Sequence, residues 1–184
     1  MNREKKYYFT RHGQSQANVD EIFAGDSESP LTAKGVYDAQ AEGRRLAQEG
    51  ATYDLIISSP LSRAIDTAAI LARSIGYLEE DIVIEKLLLE RSFGDLAGKP
   101  WSSVSDETSP AIVEMGGESI EELSLRVKRG LNKIVELSKG KVSVLVVGHG
   151  TWYQMAEALI EGRDEHTFLE SANLPNNTVI ELRL

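Results

Sequence analysis

The stretch Lys5-Lys6-Tyr7-Tyr8-Phe9-Thr10-Arg11-His12-Gly13-Gln14-Ser15 decides how this chain is read. Aromatic and β-branched residues in a row predict a strand, and Gly13 breaks it directly after Arg11 and His12. A cation and an imidazole therefore stand where a strand ends. In open α/β sheets, ligands bind in the crevice beyond the carboxyl ends of the strands. His12 is thus a candidate nucleophile for phosphoryl groups, and the rest of the sequence tests that reading.

Outward from this stretch, residues 14–30 carry Gly25, Asp26, Ser27, Ser29 and Pro30 and read as a loop with one short helical turn. Thr32 reads as the N-cap of a helix to about Gln48 that stops near Gly50. Leu55-Ile56-Ile57 suits a strand buried on both faces, ending at Ser58-Ser59-Pro60. Pro60 marks the next helix start; Leu61, Ala64, Ile65, Ala68, Leu71 and Ile75 follow at helical spacing, with Arg63 in the first turn. Residues 82–90 form the next strand candidate, ending in the acid Glu90. Residues 91–117, with scattered Gly, Pro, Ser and Trp, read as a long connection, and connections of that length tend to be functional. Ser119 to Glu122 is a capping-box pattern opening a helix to about Lys139. Residues 142–147 are the most apolar strand, suited to the centre of the sheet, and break at Gly148-His149-Gly150. A helix over 151–160 and a closing edge strand over 177–184 complete the chain.

Alternating strands and helices predict a three-layer α/β/α sandwich with a mostly parallel central sheet and one antiparallel edge strand. Parallel packing would bring Arg11, His12, Ser58, Arg63, Glu90 and His149 to one rim. The 184 residues read as a single domain, 1–184, and 41% apolar with 27% charged residues are globular values. A net charge of -9 argues against nucleic acid or an anionic membrane as a main partner, yet permits a small anion where cations gather locally. No cysteine occurs, so disulfides and thiol chemistry are excluded. The basic start is followed by too short an apolar run for a signal peptide, and no window approaches the ~18 apolar residues of a spanning helix. The expected compartment is the cytoplasm, and the expected state a monomer or homodimer.

Of the three histidines, His12 and His149 sit at strand ends beside glycine, whereas His166 lies in a polar stretch and reads as a solvated loop residue. Most arginines are surface residues in weak ion pairs. Arg11 and Arg63, however, each follow a strand end, and guanidinium forks match phosphate oxygens in a bidentate way. Glu90, alone unremarked, becomes beside them a candidate proton donor. No P-loop and no GxGxxG occurs, Gly150 occupies the serine position of a nucleophile elbow, and no HxH or HExxH pair starts a metal site. Neither a metal nor another cofactor is required.

Arg11-His12-Gly13-Gln14-Ser15 with Asn18 resembles the signature of the histidine phosphatase superfamily, also called the phosphoglycerate mutase-like family. The resemblance continues through Phe23-Ala24-Gly25, Ser29-Pro30-Leu31-Thr32 with Gly35, Ser58-Ser59-Pro60-Leu61-Ser62-Arg63-Ala64 with Thr67-Ala68, Glu90-Arg91-Ser92-Phe93-Gly94 with Gly98, Gly117-Glu118-Ser119, and Gly148-His149-Gly150. It covers nearly the whole chain. Leu96-Ala97 departs from a common tryptophan and acid, and Gly148 from a common serine.

The resemblance implies that His12 attacks phosphorus as neutral imidazole and becomes phosphohistidine. It implies that Arg11, Arg63 and His149 hold phosphoryl oxygens, with Asn18, Ala24, Gly25 and Gly150 also at the bound group. Glu90 would protonate the leaving oxygen and later take a proton from water. A charged His149 is opposed by the two arginines and favoured by bound phosphate. The family contains mutases and phosphatases. Residues 91–117 offer only Arg91 and Lys99 as cations, too few for a closed pocket around a bisphosphorylated acid. The expectation is a metal-independent phosphomonoester hydrolase acting on a small phosphorylated metabolite. A phosphoglycerate mutase-type phosphoryl transfer and a non-catalytic phospholigand-binding module are the alternatives.

Overall fold

The computed structural model describes residues 4–184. Its centre is a five-stranded sheet of β1 (Lys6–Arg11), β2 (Leu55–Ser58), β3 (Val83–Ile84), β4 (Ser143–Gly148) and β5 (Ile180–Leu182), in the order β3-β2-β4-β1-β5. The first four run parallel, and β5 pairs antiparallel with β1 at the edge, Leu182 opposite Tyr7. Six α-helices accompany it among the described residues: α1 (Gln16–Val19), α2 (Ala33–Gln48), α3 (Ser62–Ile75), α4 (Ala111–Glu114), α5 (Ile120–Leu137) and α6 (Gly150–Ile160).

Strand alternation sorts the core into two layers. Phe9, Val144 and Val146 face α5 and α6, packing with Leu123, Val127, Ile134, Trp152 and Met155. Leu145, Val147 and Ile56 face the other way, onto Leu46 of α2 and Ala64, Ala68 and Leu71 of α3. Because both faces are covered, residues 144–147 are wholly buried, which accounts for the unbroken apolar run. The fold is the predicted α/β sandwich with one antiparallel edge strand.

Helix starts follow their local chemistry. The Thr32 hydroxyl accepts from the Gly35 N–H at 3.0 Å. At Ser119 the capping box is reciprocal: its hydroxyl accepts from the Glu122 N–H at 3.1 Å and its own N–H donates to the Glu122 carboxylate at 2.9 Å. The helix expected from Pro60 begins two residues later, at Ser62.

Two strand expectations need correction. In 82–90 only Val83–Ile84 is strand; a 3-10 turn, Lys86–Leu88, follows, so Glu90 does not end a strand. The cause is tertiary: Leu88 turns into the core with no exposure, and the Leu87 carbonyl accepts from the Trp152 indole N–H at 2.8 Å. In 177–184 only Ile180–Leu182 pairs, because Asn177 adopts φ 58° and donates its N–H to the Arg11 carbonyl, a turn that delays the strand. The connection 91–117 holds α4 and 3-10 turns at Gly94–Leu96 and Trp101–Ser103. No helix among the described residues is long and apolar enough to cross a membrane.

Parallel register then assembles the rim. Arg11 lies beside Gly148, and Ser58 beside both Val147 and Ile84. The residues just past β1, β2 and β4 therefore meet at one edge of the sheet.

Candidate active site

A cavity of about 350 Å³ opens at this rim, and Arg11, His12, Asn18, Ala24, Gly25, Arg63, Glu90 and Gly150 are among its lining. His149 is not in the lining. It is fully buried behind His12, with ring centroids 5.1 Å apart.

His12 is fixed from several sides. Its N–H donates to the Gly148 carbonyl at 2.9 Å, its carbonyl accepts from Asn176 Nδ2 at 2.6 Å, and its Nδ1 is 2.6 Å from the Gly13 carbonyl. A carbonyl only accepts, so Nδ1 carries the proton and Nε2 keeps the lone pair. Burial, then the charges of Arg63 and Arg11, hold the ring's pKa well below the ordinary histidine value, so the ring is neutral at neutral pH. Gly13 serves by close approach: a Cβ there would lie 2.9 Å from the Gly35 carbonyl oxygen.

Arg63, also buried, donates through Nε to His12 Nε2 at 3.2 Å and through its outer nitrogens to the Ser27 and Gly25 carbonyls at 2.8 and 2.6 Å. The expected free fork is thus partly committed to main chain. One hydrogen on each outer nitrogen remains for a ligand. Arg11 donates to Asn173 Oδ1 at 3.1 Å, while its buried Nε has no partner among the described residues. Asn18 Oδ1 accepts from the Ser15 N–H and hydroxyl at 3.1 and 3.2 Å, which turns the question of ligand contact to its amide nitrogen.

Glu90 reaches the rim without a strand to carry it. Its carboxylate accepts N–H groups of Trp152 and Thr151, at 3.0 and 3.1 Å, in the first turn of α6, and the Arg91 N–H at 3.0 Å. His149 pairs Nε2 with the Ser59 hydroxyl at 2.7 Å, and its buried Nδ1 has no partner among the described residues. Burial, then His12, Arg63 and Arg11, push its pKa well below the ordinary value, so His149 is neutral in the free protein rather than a cation. Gly148 makes room for a core ring, since a Cβ there would lie 2.9 Å from Phe9. His166 is exposed, 3.5 Å from Glu121.

Four neighbours carry no role in the sequence reading: Ser59, Thr151, Asn176 and Glu107. Ser59 and Thr151 adjoin the motif residues and were accessible on that ground. Glu107 lay unmarked within the long connection. It also lines the cavity, and its Oε2 accepts from the Thr151 hydroxyl at 2.8 Å. Arg91, expected as a cation for the pocket, is buried instead and donates to the Glu118 carbonyl at 2.8 and 3.0 Å and to the Glu107 carbonyl.

The two buried neutral histidines set a pH dependence of stability that Glu107, pushed up to about 7 by burial and then Glu90, offsets only in part. Below the ordinary value of ~6.5 the unfolded chain binds protons that the folded site refuses, so stability present above that pH is lost as pH falls through and below it. The expected result is a melting temperature that drops between about pH 7 and pH 5, with a shallower drop in His12→Asn. Equal slopes in thermal melts of both proteins would refute the buried neutral assignment.

Residues 7–184 match the family described as the histidine phosphatase superfamily (branch 1). "Probable phosphoglycerate mutase GpmB" of Salmonella paratyphi C (strain RKS4594) is 37% identical over 153 residues, covering 78% of this chain and 68% of that relative. The 2,3-bisphosphoglycerate-dependent phosphoglycerate mutase of Methylobacterium sp. (strain 4-46) is 29% identical over 180 residues, covering 89% and 84%. The crystal structure of the alpha-ribazole phosphatase from Shigella flexneri superposes with a TM-score of 0.81 at 24% identity, over 97% of this chain and 90% of that one, a likeness of fold. With the family match running over nearly the whole sequence, the chain belongs to branch 1 of the histidine phosphatase superfamily.

Proposed function

We propose that this chain, acting as one domain, is a metal-independent phosphomonoester phosphatase that works through a phosphohistidine on a small phosphorylated metabolite. The observation that carries this is the neutral His12, whose Nε2 carries no proton and among the described residues accepts only from Arg63 Nε, at a cavity also lined by Arg11 and Glu90, so that Arg63 turning to a bound phosphate frees the lone pair. His12 Nε2 attacks phosphorus, the bond from phosphorus to the alcohol oxygen breaks, and Glu90 in its protonated form gives that oxygen its proton. Water then attacks the phosphohistidine, Glu90 takes its proton, and the nitrogen–phosphorus bond breaks to release phosphate. Arg11 and Arg63 supply the positive charge that a loose, oxygen-centred transition state needs. His149, buried behind His12 with an unpartnered Nδ1 among the described residues, backs the phosphoryl site from beneath the cavity wall; Asn18 offers its amide, and Ala24, Gly25 and Gly150 border the bound group. The proposed setting is the cytoplasm, in keeping with an acidic, cysteine-free composition.

The expected result is phosphate release from p-nitrophenyl phosphate that persists in excess chelator. No release, or release abolished by the chelator, would refute the proposal.

The names of the two mutase relatives favour a second reading, phosphoryl transfer back to the product. It predicts 2-phosphoglycerate from 3-phosphoglycerate with catalytic bisphosphoglycerate, formed faster than free phosphate accumulates. Against it, Arg11 and Arg63 are the only cationic residues lining the cavity among the described residues.

A further inference from the structure

Besides the residues assigned to the phosphate, the cavity is lined by the apolar side chains of Ile22, Phe23, Phe93 and Trp101 and by the acids Asp106 and Glu107. Glu107 is held in place rather than carried loosely on a loop. Thr151 donates its hydroxyl to Oε2 at 2.8 Å, and the same residue's N–H donates to Glu90 Oε2 at 3.1 Å. The Glu107 carbonyl accepts from Arg91, which is buried and anchored on the Glu118 carbonyl. Two carboxylates therefore flank Thr151 at one wall. Oε1 of Glu107 makes no hydrogen bond among the described residues, and so can accept one from a bound molecule. The two cations of the connection do not offset this wall, since Arg91 is spent on main-chain carbonyls and Lys99 is exposed and outside the lining.

We propose that Glu107 is a specificity-determining residue that selects phosphomonoesters whose alcohol portion is neutral or cationic and donates a hydrogen bond, and disfavours esters bearing a carboxylate near the phosphate. This rests on the phosphatase reading and deepens it. A hydroxyl or ammonium group beside an apolar body finds an acceptor in Oε1 and a wall in the aromatic residues. A carboxylate in the same place meets like charge, and with Arg11 and Arg63 engaged by the phosphate no further cation lines the cavity among the described residues to pair it; such a juxtaposition is selective where solvent is scarce. The relatives named as phosphoglycerate mutases are named for carboxylate-bearing esters, so the inference separates this chain from what those names describe.

The test compares sn-glycerol 3-phosphate with 3-phosphoglycerate, esters of similar size that differ in a hydroxymethyl group against a carboxylate. Burial, then the Glu90 charge, pushes Glu107 up to about 7, so the comparison is made near pH 8, where it is ionised. Wild type is expected to favour glycerol phosphate in kcat/KM, and Glu107→Gln to shrink that ratio about tenfold. Preference for 3-phosphoglycerate in wild type, or a ratio unchanged in a folded Glu107→Gln, overturns the proposal.

Should the variant not fold, wild type at about pH 6 decides. Of the charged groups facing Glu107, namely Glu90, Arg11 and Arg91, with the neighbouring Asp106, all act on both esters, and the ratio should fall as Glu107 takes up its proton. An unchanged ratio overturns the proposal. Should wild type hydrolyse neither ester, the p-nitrophenyl phosphate assay decides the phosphatase reading separately, and calorimetric binding of the two esters decides this one by the same ratio.

Discussion

Replacing His12 by alanine is expected to lower kcat/KM for any phosphomonoester by at least about 10,000-fold, because the covalent route disappears with the nucleophile. The substitution leaves the charge of Arg11 and Arg63 in place, so it separates nucleophile from clamp. His149 cannot stand in: it is buried behind His12, and its Nε2 is held by Ser59. Mass spectrometry after a rapid quench supplies the complementary measurement. Wild type should gain a phosphoryl group on His12 during turnover, and a non-catalytic binding module should gain none. Turnover by a folded His12→Ala within about tenfold of wild type, or a label on another residue, would sink the mechanism.

Glu90→Gln is expected to lose about 100-fold to 10,000-fold in kcat with an alkyl phosphate and far less with p-nitrophenyl phosphate. An alkoxide leaves poorly without a proton, whereas p-nitrophenolate leaves without help. The difference matters because Glu90 holds a second position of consequence: three main-chain N–H groups end on its carboxylate, two of them from the start of α6. A glutamine satisfies fewer of these, so a purely structural role would slow both esters alike. Equal losses with the two esters would therefore make Glu90 a positioning residue, while loss confined to the alkyl ester assigns it the proton. Glu90→Asp serves as the companion variant, keeping the acid while withdrawing it from α6.

Much of this molecule was open to reading from the chain alone. Strands β1, β2 and β4 are short apolar runs ended by small or polar residues, and the pairing of Thr32 and of Ser119 with donors three residues on is local chemistry. Because strand ends in a parallel sheet face one way, Arg11, His12 and His149 could be assigned to one rim before any distance was known. Where the reading failed, long-range packing had intervened. Residues 82–90 have the composition of a strand, but Trp152 and the α5–α6 layer draw Leu87 and Leu88 into a 3-10 turn. Arg91 looked like a ligand cation and is a buried brace between two main-chain segments.

By itself the sequence determined the alternating layers and the central place of residues 142–147, because periodicity is a local property, and its motif blocks singled out the groups proposed to meet phosphorus. Only the tertiary structure decided their protonation and their partners. His12 is neutral because burial and two arginines act on it together, Arg63 is half committed because two loop carbonyls reach it, and Glu107 faces Thr151 across 44 residues of chain. Such contacts depend on distances between segments remote in sequence, which no stretch from Lys5 to Ser15 can encode.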